Sequence, residues 1–216
     1  MVLYFTPIGA EKSGHTLYMG RDKVENEDLI KWGLPEDIWF HVDKMSSAHV
    51  YLRVARGETI DDISEEELED CAQLVKANSI QGNKENNVGV VYTPWANLLK
   101  SARMEVGQVG YHDRAQVRRC KVEKRKNEIV NRLNKTKTEA FPDLALERDA
   151  YDKAIREEKK AHFREEEYKR VEEERAREAD REARSYDRIM DTDNMVSNKD
   201  NAKKYASVEE AEEDFM

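Results

Sequence analysis

The sequence predicts an α+β fold: a mainly antiparallel sheet with flanking helices, followed by a long charged C-terminal helix and a disordered tail. Three observations lead to this prediction. Short apolar runs typical of strands alternate with two helical patterns up to residue 122, which favours antiparallel pairing. All nine glycines lie between Gly9 and Gly110, and no proline follows Pro142. Charged residues make up 38% of the chain, which favours a solvated extension over one large globule.

The strands and helices are predicted in the following order. Strands are expected at residues 2–6 and 16–19, and a short helix at 26–31 that Asp22 or Asn26 caps. Two further strands, 38–42 and 49–54, flank a polar turn. A strong helix follows from Ser64 to about residue 79, and a strand at 88–93 ends at Pro94. Residues 109–112 and 117–122 are candidates for the final strands.

Two local patterns give these elements their orientation. Ser64 followed by Glu67 is a capping box, because each side chain can bond the other's backbone N–H at the start of a helix. In the strand 38–42, side chains alternate between the two faces of the sheet. Trp39 and His41 are therefore expected on one face, with Phe40 on the other.

The composition divides the chain into three parts. We predict an α+β domain over 1–122, a charged helical extension over 123–190 and a disordered acidic tail over 191–216. Acid–base pairs spaced four residues apart support a helix after residue 147. Its apolar residues do not sustain a heptad repeat, so a solvated single helix is expected there instead of a stable dimeric coiled coil.

The overall composition restricts the classes of function. Cys71 and Cys120 are the two cysteines, and their spacing indicates neither a disulfide framework nor a zinc site. No run of 18 apolar residues is present, so no membrane span is evident. We expect a cytoplasmic or nuclear location in a reducing environment. No cofactor is expected, because the sequence shows neither a nucleotide-binding loop nor metal-ligand spacing.

Charge is unevenly distributed, and this matters more than the net value of −9. Residues 114–137 contain ten Lys or Arg and two Glu, a local excess that suits a polyphosphate backbone. A solvated helix face, or a docking site for the acidic tail, would carry the same charges. The candidate contacts in this run are Arg118, Lys121, Lys124 and Arg125.

A second candidate contact lies where the strand 16–19 gives way to a helix. Free backbone N–H groups at the helix start, together with Arg21 and Lys23, would form a phosphate cradle. Gly20 could adopt a positive φ to allow close approach of a backbone. The alternative is an ordinary solvated turn between a strand and a helix. The candidate segment comprises Arg21, Asp22, Lys23, Val24 and Glu25.

A third candidate site surrounds the polar turn between the two central strands, and consists of His41, Lys44, Ser47, His49 and Arg53. A metal site would need a third ligand, for which Asp43 is the nearby candidate. Catalysis by histidine and serine would need an orienting acid and an oxyanion hole, and no G-x-S-x-G motif is present. Contact with nucleic acid fits better, with Trp39 stacking on a base. The competing interpretation places Trp39 and His41 in the core.

The spacing of these residues resembles a known motif. Gly20-Arg21, Asn26, Asp37-Ile38-Trp39-Phe40-His41, Ser47 and His49-Val50 follow one another in the pattern of the NFACT-R domain, found at the C-terminal end of ribosome-quality-control factors. The resemblance covers about residues 1–122 and supports the α+β fold. One position departs from the wider family, where Gly-Ser commonly precedes His-Val and Ala48 stands here.

The resemblance implies a function in nucleic-acid binding. In the large NFACT proteins the domain is associated with RNA, whereas DNA binding, including at the cell surface, has been proposed for stand-alone relatives. We therefore expect a non-enzymatic protein that binds DNA or RNA mainly through phosphates. The alternative is an interaction adaptor, in which residues 123–190 bind a protein partner. Cell-surface association is an expectation from the family alone.

Overall fold

Antiparallel strands form the central layer of the domain, as the sequence predicts. The computed structural model describes residues 1–185 and residue 200. The elements are β1 Val2–Phe5, α1 Ala10–Ser13, β2 Thr16–Gly20, α2 Lys23–Trp32, β3 Asp37–Val42, β4 Val50–Arg53, α3 Glu65–Ala77, β5 Val88–Pro94, β6 Leu98–Leu99, β7 Gly110–Tyr111, β8 Arg118–Val122, α4 Asn127–Lys135, β9 Thr138–Ala140 and α5 Leu144–Arg184. The α+β fold class is confirmed.

The described strands form one seven-stranded sheet in the order β8-β5-β3-β4-β2-β1-β9, and β6 pairs with β7 separately. Every pairing is antiparallel. β3 lies near the centre, between β4 and β5, so its side chains are covered on both faces. β8 and β9 are the edges of the sheet.

The two faces of the sheet bury different sets of side chains, as the alternation in β3 predicts. Phe40 and Val42 belong to an aliphatic core that includes Leu74 and Val75 of α3. Trp39 lies in a second cluster on the opposite face, where Leu29 of α2 covers it. Burying each of these large side chains contributes roughly 1.5–3 kcal/mol.

Helix α3 begins with the predicted capping box. Ser64 Oγ accepts a hydrogen bond from the backbone N–H of Glu67, and the Glu67 side chain accepts one from the backbone N–H of Ser64. The other carboxylate oxygen of Glu67 lies 2.7 Å from Nδ1 of His15. The cap therefore also ties α3 to the segment that precedes β2.

The sheet takes in residues beyond the domain limit of 122 expected from the sequence. β9 pairs with β1, with Val2 opposite Ala140, and Leu133 of α4 is fully buried in the aliphatic core. The three-residue β9 carries no alternating apolar pattern, which is why the sequence gives no sign of it. Backbone pairing and the burial of the preceding helix place it in the sheet.

The first turns of α5 contact the domain. Arg148 donates to the carbonyl oxygen of Gly33 and lies 5.1 Å above the ring of Trp95. These residues belong to a compact unit that spans Met1–Ala154, and a second unit begins at Ile155. In that second unit, Lys169 and Glu165 form an ion pair four residues apart at 2.7 Å. The predicted tail, 191–216, lies outside the described residues apart from Asp200.

Candidate nucleic-acid interface

A cleft of about 830 Å³ joins two of the three candidate sites. It lies beside the ends of β2 and β3, between the start of α2 and the turn that leads into β4. Arg21, Asp22 and Lys23 line one side of it, and His41, Ser47 and His49 line another. Segments about 20 residues apart in the chain are therefore brought together, because β2 and β3 both pair with β4.

The start of α2 does not offer the free donors that the sequence suggests. The carboxylate of Asp22 is the N-cap and accepts hydrogen bonds from the backbone N–H groups of Val24 and Glu25, both at 3.0 Å. These bonds lower the pKa of Asp22, chiefly through the Glu25 N–H. The prediction of a backbone phosphate cradle is wrong for these two N–H groups, because they already donate to the carboxylate of Asp22.

Gly20 has a different role from the one predicted. It is not among the residues with positive φ. A Cβ atom at this position would instead lie 3.1 Å from the backbone nitrogen of Asn26 and 3.2 Å from Cβ of Glu25. The glycine therefore allows the end of β2 to approach the first turn of α2 closely.

The cations beside α2 remain available. Arg21 and Lys23 are exposed, and neither forms an ion pair with any residue that the structure describes. The neighbouring carboxylate of Glu25 pairs with the N-terminal amine of Met1. Val24 is 70% exposed, an unusual position for an apolar side chain on a helix surface. The segment thus presents two exposed cations without an ion-pair partner among the described residues at the rim of the cleft, with the Asp22 carboxylate between them.

Asn26 is a buried member of the cleft, which the sequence indicates as a possible cap and as part of the family motif. It is 6% exposed, lines the cleft and has an Oδ1 atom without a hydrogen-bond partner. Its backbone N–H bonds the carbonyl oxygen of Asp22, so the helix fixes its position. A buried polar atom without a partner costs about 1–3 kcal/mol, and such atoms mark places where a ligand group would fit.

The rings of His41 and His49 line the cleft, and the buried ring of Trp39 contacts both of them. Trp39 Nε1 donates a hydrogen bond to Nδ1 of His49 at 2.9 Å. The ring of His41 lies parallel to that of Trp39, with centroids 5.4 Å apart, and meets His49 edge to face at 4.9 Å. Trp39 is 1% exposed, so the prediction that it stacks on a base is wrong. The ring of His41, which lines the cleft, covers it.

Both histidines are held in the neutral form. Burial lowers the pKa of His49 to about 3, and the nearby His41 adds to this effect. Burial also lowers the pKa of His41. Nδ1 of His41 lies 2.7 Å from the carbonyl oxygen of Val42, which can only accept, so Nδ1 carries the proton. The Nε2 atom of His41 is then an acceptor, and it pairs with no other described group.

The remaining members of the turn site are more dispersed. The hydroxyl of Ser47 donates to the carbonyl oxygen of Ala48 and accepts from the N–H of Val42, so it closes the turn. Lys44 is exposed in a left-handed conformation with φ of 60°, and it does not line the cleft. Arg53 lies at the far end of β4.

Arg53 forms an ion pair with the buried carboxylate of Asp37. Its Nε and Nη2 atoms donate to the two carboxylate oxygens of Asp37 at 2.8 and 3.1 Å, and Asp37 is fully buried. The guanidinium also lies 5.0 Å above the ring of Tyr18. This arrangement neutralises a buried charge, which is a structural role.

The four candidate residues of the basic run lie on the edge strand β8 and in the loop after it. Arg118 forms an ion pair with Asp61 at 2.5 Å, and Arg125 donates to Oδ1 of Asn83 at 2.6 Å. Lys121 and Lys124 form no ion pair with a described residue. They line a separate groove of about 670 Å³, where acidic residues at the start of α3 face them. None of these four residues lines the cleft.

Residues 105–108 line the cleft as well, and no pattern in the sequence indicates this. Lys100 donates to Glu27 and to the carbonyl oxygens of Glu105 and Gln108, at 2.8 to 2.9 Å. The same Glu27 carboxylate accepts from the N–H of Gly107 at 2.6 Å. The partly buried ion pair between Lys100 and Glu27 therefore fastens the loop to α2. The contact joins residues 73 positions apart, beyond the range of local sequence patterns.

A second remote segment is held beside the cleft by a buried lysine. Lys76 of α3 is fully buried, and its ammonium donates to the carbonyl oxygens of Gly82 at 2.7 Å and of Glu85. These bonds close the loop after α3, which carries Ile80. The Ile80 side chain lines the cleft although it is 85% exposed.

Neither a metal-binding cluster nor a membrane-spanning helix is present among the described residues. No group of three or more His, Cys, Asp or Glu side chains in this part of the chain is arranged to hold a metal ion. None of its helices is both long enough and apolar enough to span a membrane.

Comparison with known proteins identifies the family. A model described as the NFACT protein RNA binding domain matches residues 1–113, more than half of the chain. The chain belongs to the NFACT-R family. The match includes the whole of the cleft, from Met19 to Gln108, and ends before β8. The family resemblance seen in the motif from Gly20 to Val50 is confirmed.

Relatives of this NFACT-R chain share most of its length. Coiled-coil domain-containing protein 25 of Mus musculus is 58% identical over 200 residues, covering 93% of this chain and 96% of the mouse protein. A homolog of that protein in Dictyostelium discoideum is 50% identical over 216 residues and covers both chains completely. Protein JLP2 of Saccharomyces cerevisiae is 46% identical over 133 residues, 60% of this chain and 64% of the yeast protein.

Proposed function

We propose that this protein is a non-enzymatic nucleic-acid-binding protein that contacts phosphates around the cleft. One observation carries the proposal: Arg21 and Lys23, which have no ion-pair partner among the described residues, stand at the rim of a cleft lined by His41 and Asn26. Exposed cations that form no ion pair attract a polyanion, and their contacts release counterions. The name of the family, which refers to RNA binding, supports the same conclusion.

The edge strand β8 supplies a second basic surface for the same ligand. Lys121 and Lys124 are exposed and unpaired in the described part of the chain, whereas Arg118 is opposed by Asp61. We infer that the unpaired lysines add affinity without sequence preference, because contacts to phosphates position a nucleic acid and do not read its bases.

The geometry around the histidines supports a role in binding without turnover. A serine nucleophile needs a base that accepts its proton. The Ser47 hydroxyl instead donates to the carbonyl oxygen of Ala48 at 3.0 Å. Nδ1 of His49 is occupied by Trp39, and the pKa of His49, lowered to about 3 by burial, leaves it a poor base near neutral pH.

The test is a binding titration of the full chain by fluorescence anisotropy. Labelled single-stranded RNA, single-stranded DNA and duplex DNA would each be titrated across a series of salt concentrations. We expect affinity to fall steeply with salt. The double variant Arg21→Glu/Lys23→Glu should weaken binding and flatten the salt dependence, because it removes phosphate contacts. The ligand with the highest affinity would identify DNA or RNA.

A matched control separates a local effect from a change in net charge. Lys159 and Lys160 lie on the exposed surface of α5, and Lys159→Glu/Lys160→Glu makes the same change in charge. If this control weakens binding as much as the Arg21/Lys23 variant, the cleft has no special role. Absence of binding to all three ligands at low salt would refute the proposed function.

A second candidate function, that of an interaction adaptor, is favoured by helix α5. This helix has no buried residue over Leu144–Arg184. Phe163 and Tyr168 on it are 65% and 68% exposed, which is unusual for aromatic side chains. A protein partner would cover them. Loss of captured protein partners in a Phe163→Ser/Tyr168→Ser variant, with nucleic-acid binding unchanged, would support the adaptor.

A further inference from the structure

The uncommitted groups in the cleft suit a ligand other than phosphate alone. A phosphate is an acceptor and needs donors. Two backbone donors at the start of α2, the N–H groups of Val24 and Glu25, are taken by the Asp22 carboxylate. The groups left open inside the cleft include the side-chain amide of Asn26 and the ring of His41. The cations Arg21 and Lys23 are exposed at the rim.

We propose that the cleft accepts an unpaired nucleobase while the phosphates of the same strand contact Arg21 and Lys23. This inference rests on the proposed function and specifies its ligand as single-stranded nucleic acid. It adds a site for the base to the contacts for the backbone.

Asn26 provides the polar contact for the base. Its Oδ1 has no partner, and the residue is 6% exposed at the inner wall of the cleft. The exocyclic amino and ring N–H groups of bases are donors that would satisfy this oxygen, and the amide N–H₂ of the same side chain suits the acceptors beside them. An amide that faces a base edge in this way is a common means of base recognition.

His41 provides the surface on which the base stacks. Its ring lies within 6° of parallel to Trp39, and its Nδ1 is bound to Val42, so the ring cannot rotate freely. A base placed on the cleft side would extend the stack from Trp39 through His41. Aromatic side chains stack on bases of any sequence, because every base has a π-face.

The apolar residues at the cleft suit a planar base as well. Ile80 is 85% exposed and Val106 is 60% exposed, and both line the cleft. Lys76 holds the loop of Ile80, and Lys100 holds the loop of Val106. Both side chains are therefore presented by fastened loops. A base would cover part of this apolar surface, whereas a phosphate would not.

The size of the cleft and the edge that it contacts favour a single strand. A volume of about 830 Å³ lies within the range of pockets that hold small organic ligands. In a duplex, the Watson–Crick edge of each base is occupied and its faces are stacked. A duplex would have to extrude a base at a cost of a few kcal/mol, whereas a single strand presents its bases without that cost.

The test compares two oligonucleotides that have the same phosphates. The full chain would be titrated with a labelled seven-nucleotide RNA and with an abasic oligomer of equal length and charge, at one salt concentration. We expect the abasic oligomer to bind about tenfold more weakly, from the loss of stacking. The difference should shrink in Asn26→Leu and in His41→Ala, and persist in His112→Ala, a change at an exposed histidine outside the cleft.

The outcomes separate this inference from the proposed function. Equal binding of the two oligomers by the wild-type chain, with the usual salt dependence, would overturn the base site and leave phosphate binding intact. Failure of both oligomers to bind would overturn the proposed function itself. Titration with adenosine monophosphate tests the source of the base: affinity equal to that of the RNA would identify a free nucleotide and overturn the assignment to a strand.

Discussion

The indole N–H of Trp39 donates to Nδ1 of His49 across 2.9 Å, and this bond organises the floor of the cleft. Because Nδ1 accepts, neutral His49 carries its proton on Nε2, which bonds the backbone of Gly107. The donor of the buried indole is thereby satisfied within the core. Trp39 is removed from any direct contact with a ligand, and His41 becomes the ring that faces the cleft.

The buried histidines predict how stability changes with pH. The pKa of His49 is lowered by burial to about 3, while in the unfolded chain it is about 6.5. Between these values the unfolded state binds the proton and the folded state does not. The free energy of unfolding should therefore fall as the pH drops from about 6.5 towards 3, by up to about 1.4 kcal/mol per pH unit from this residue. Urea unfolding across this pH range measures it.

A substitution isolates the contribution of His49. His49→Gln keeps a polar side chain at the position and removes the titrating group, so the dependence on pH should become shallower. His112→Gln, at an exposed position, serves as the control and should leave the dependence unchanged. A His49→Gln curve parallel to that of the wild type between pH 6.5 and 4 would contradict the explanation.

The pair formed by Arg53 and Asp37 predicts a large effect on stability. Asp37 is fully buried and receives two hydrogen bonds from Arg53. Arg53→Met would leave a buried carboxylate without its counter-charge. We expect a loss of about 3 kcal/mol in the free energy of unfolding, the lower end of the range for broken buried pairs, since the Arg53 side chain is partly exposed. Chemical denaturation measures it.

Lys44→Met provides the comparison for this prediction. It removes a cation of the same site predicted from the sequence, but Lys44 is exposed. Its stability should stay within about 0.5 kcal/mol of the wild type. The affinity of Arg53→Met for nucleic acid, measured at a temperature where this variant remains folded, should equal that of the wild type. A selective loss of affinity would show that Arg53 contacts the ligand after all.

Local patterns were sufficient to predict most of the fold. The capping box of Ser64 and Glu67 depends on residues three apart, and the alternation of Trp39 and Phe40 depends on neighbours. Both are therefore visible in the sequence. β9 is not, because its three residues, Thr138–Ala140, are too few to show an alternating pattern, and its place is determined by pairing with β1.

The cleft was predicted only in part, for a related reason. The sequence indicates Arg21 and His41 as candidates, and β-sheet pairing brings their segments together. The sequence does not indicate the loop at Gly107, which the contacts of Lys100 and Glu27 hold beside the cleft. Burial also decides roles that composition leaves open: Trp39 resembles a stacking residue by type, yet it is enclosed by neighbours distant in the chain.

The close packing at Gly20 predicts that a larger residue there would lower both the stability of the fold and the affinity for nucleic acid. In Gly20→Ala the new methyl group would meet the backbone of Asn26 at 3.1 Å, so the first turn of α2 must shift. We expect a loss of about 1–3 kcal/mol in stability and weaker binding, because Arg21 and Asn26 move with that turn. Gly89→Ala is the control, since its methyl group would meet only Cβ of Asp43 at 3.7 Å. Equal behaviour of the two variants in denaturation and anisotropy assays would contradict this role.

Substitutions of Arg118 and Arg119, the two arginines at the start of β8, test which face of the sheet binds the nucleic acid. Arg119 lies opposite Val91, which lies opposite His41, so it occupies the face of the cleft, two strands or about 10 Å away. Arg118 points to the other face and pairs with Asp61. In anisotropy titrations, Arg119→Ser should weaken binding and reduce the salt slope by about one, as expected for a lost phosphate contact. Arg118→Ser removes the same charge and should leave the slope nearly unchanged. If Arg118→Ser has the larger effect, the nucleic acid lies on the α3 face, and the cleft is not its principal contact.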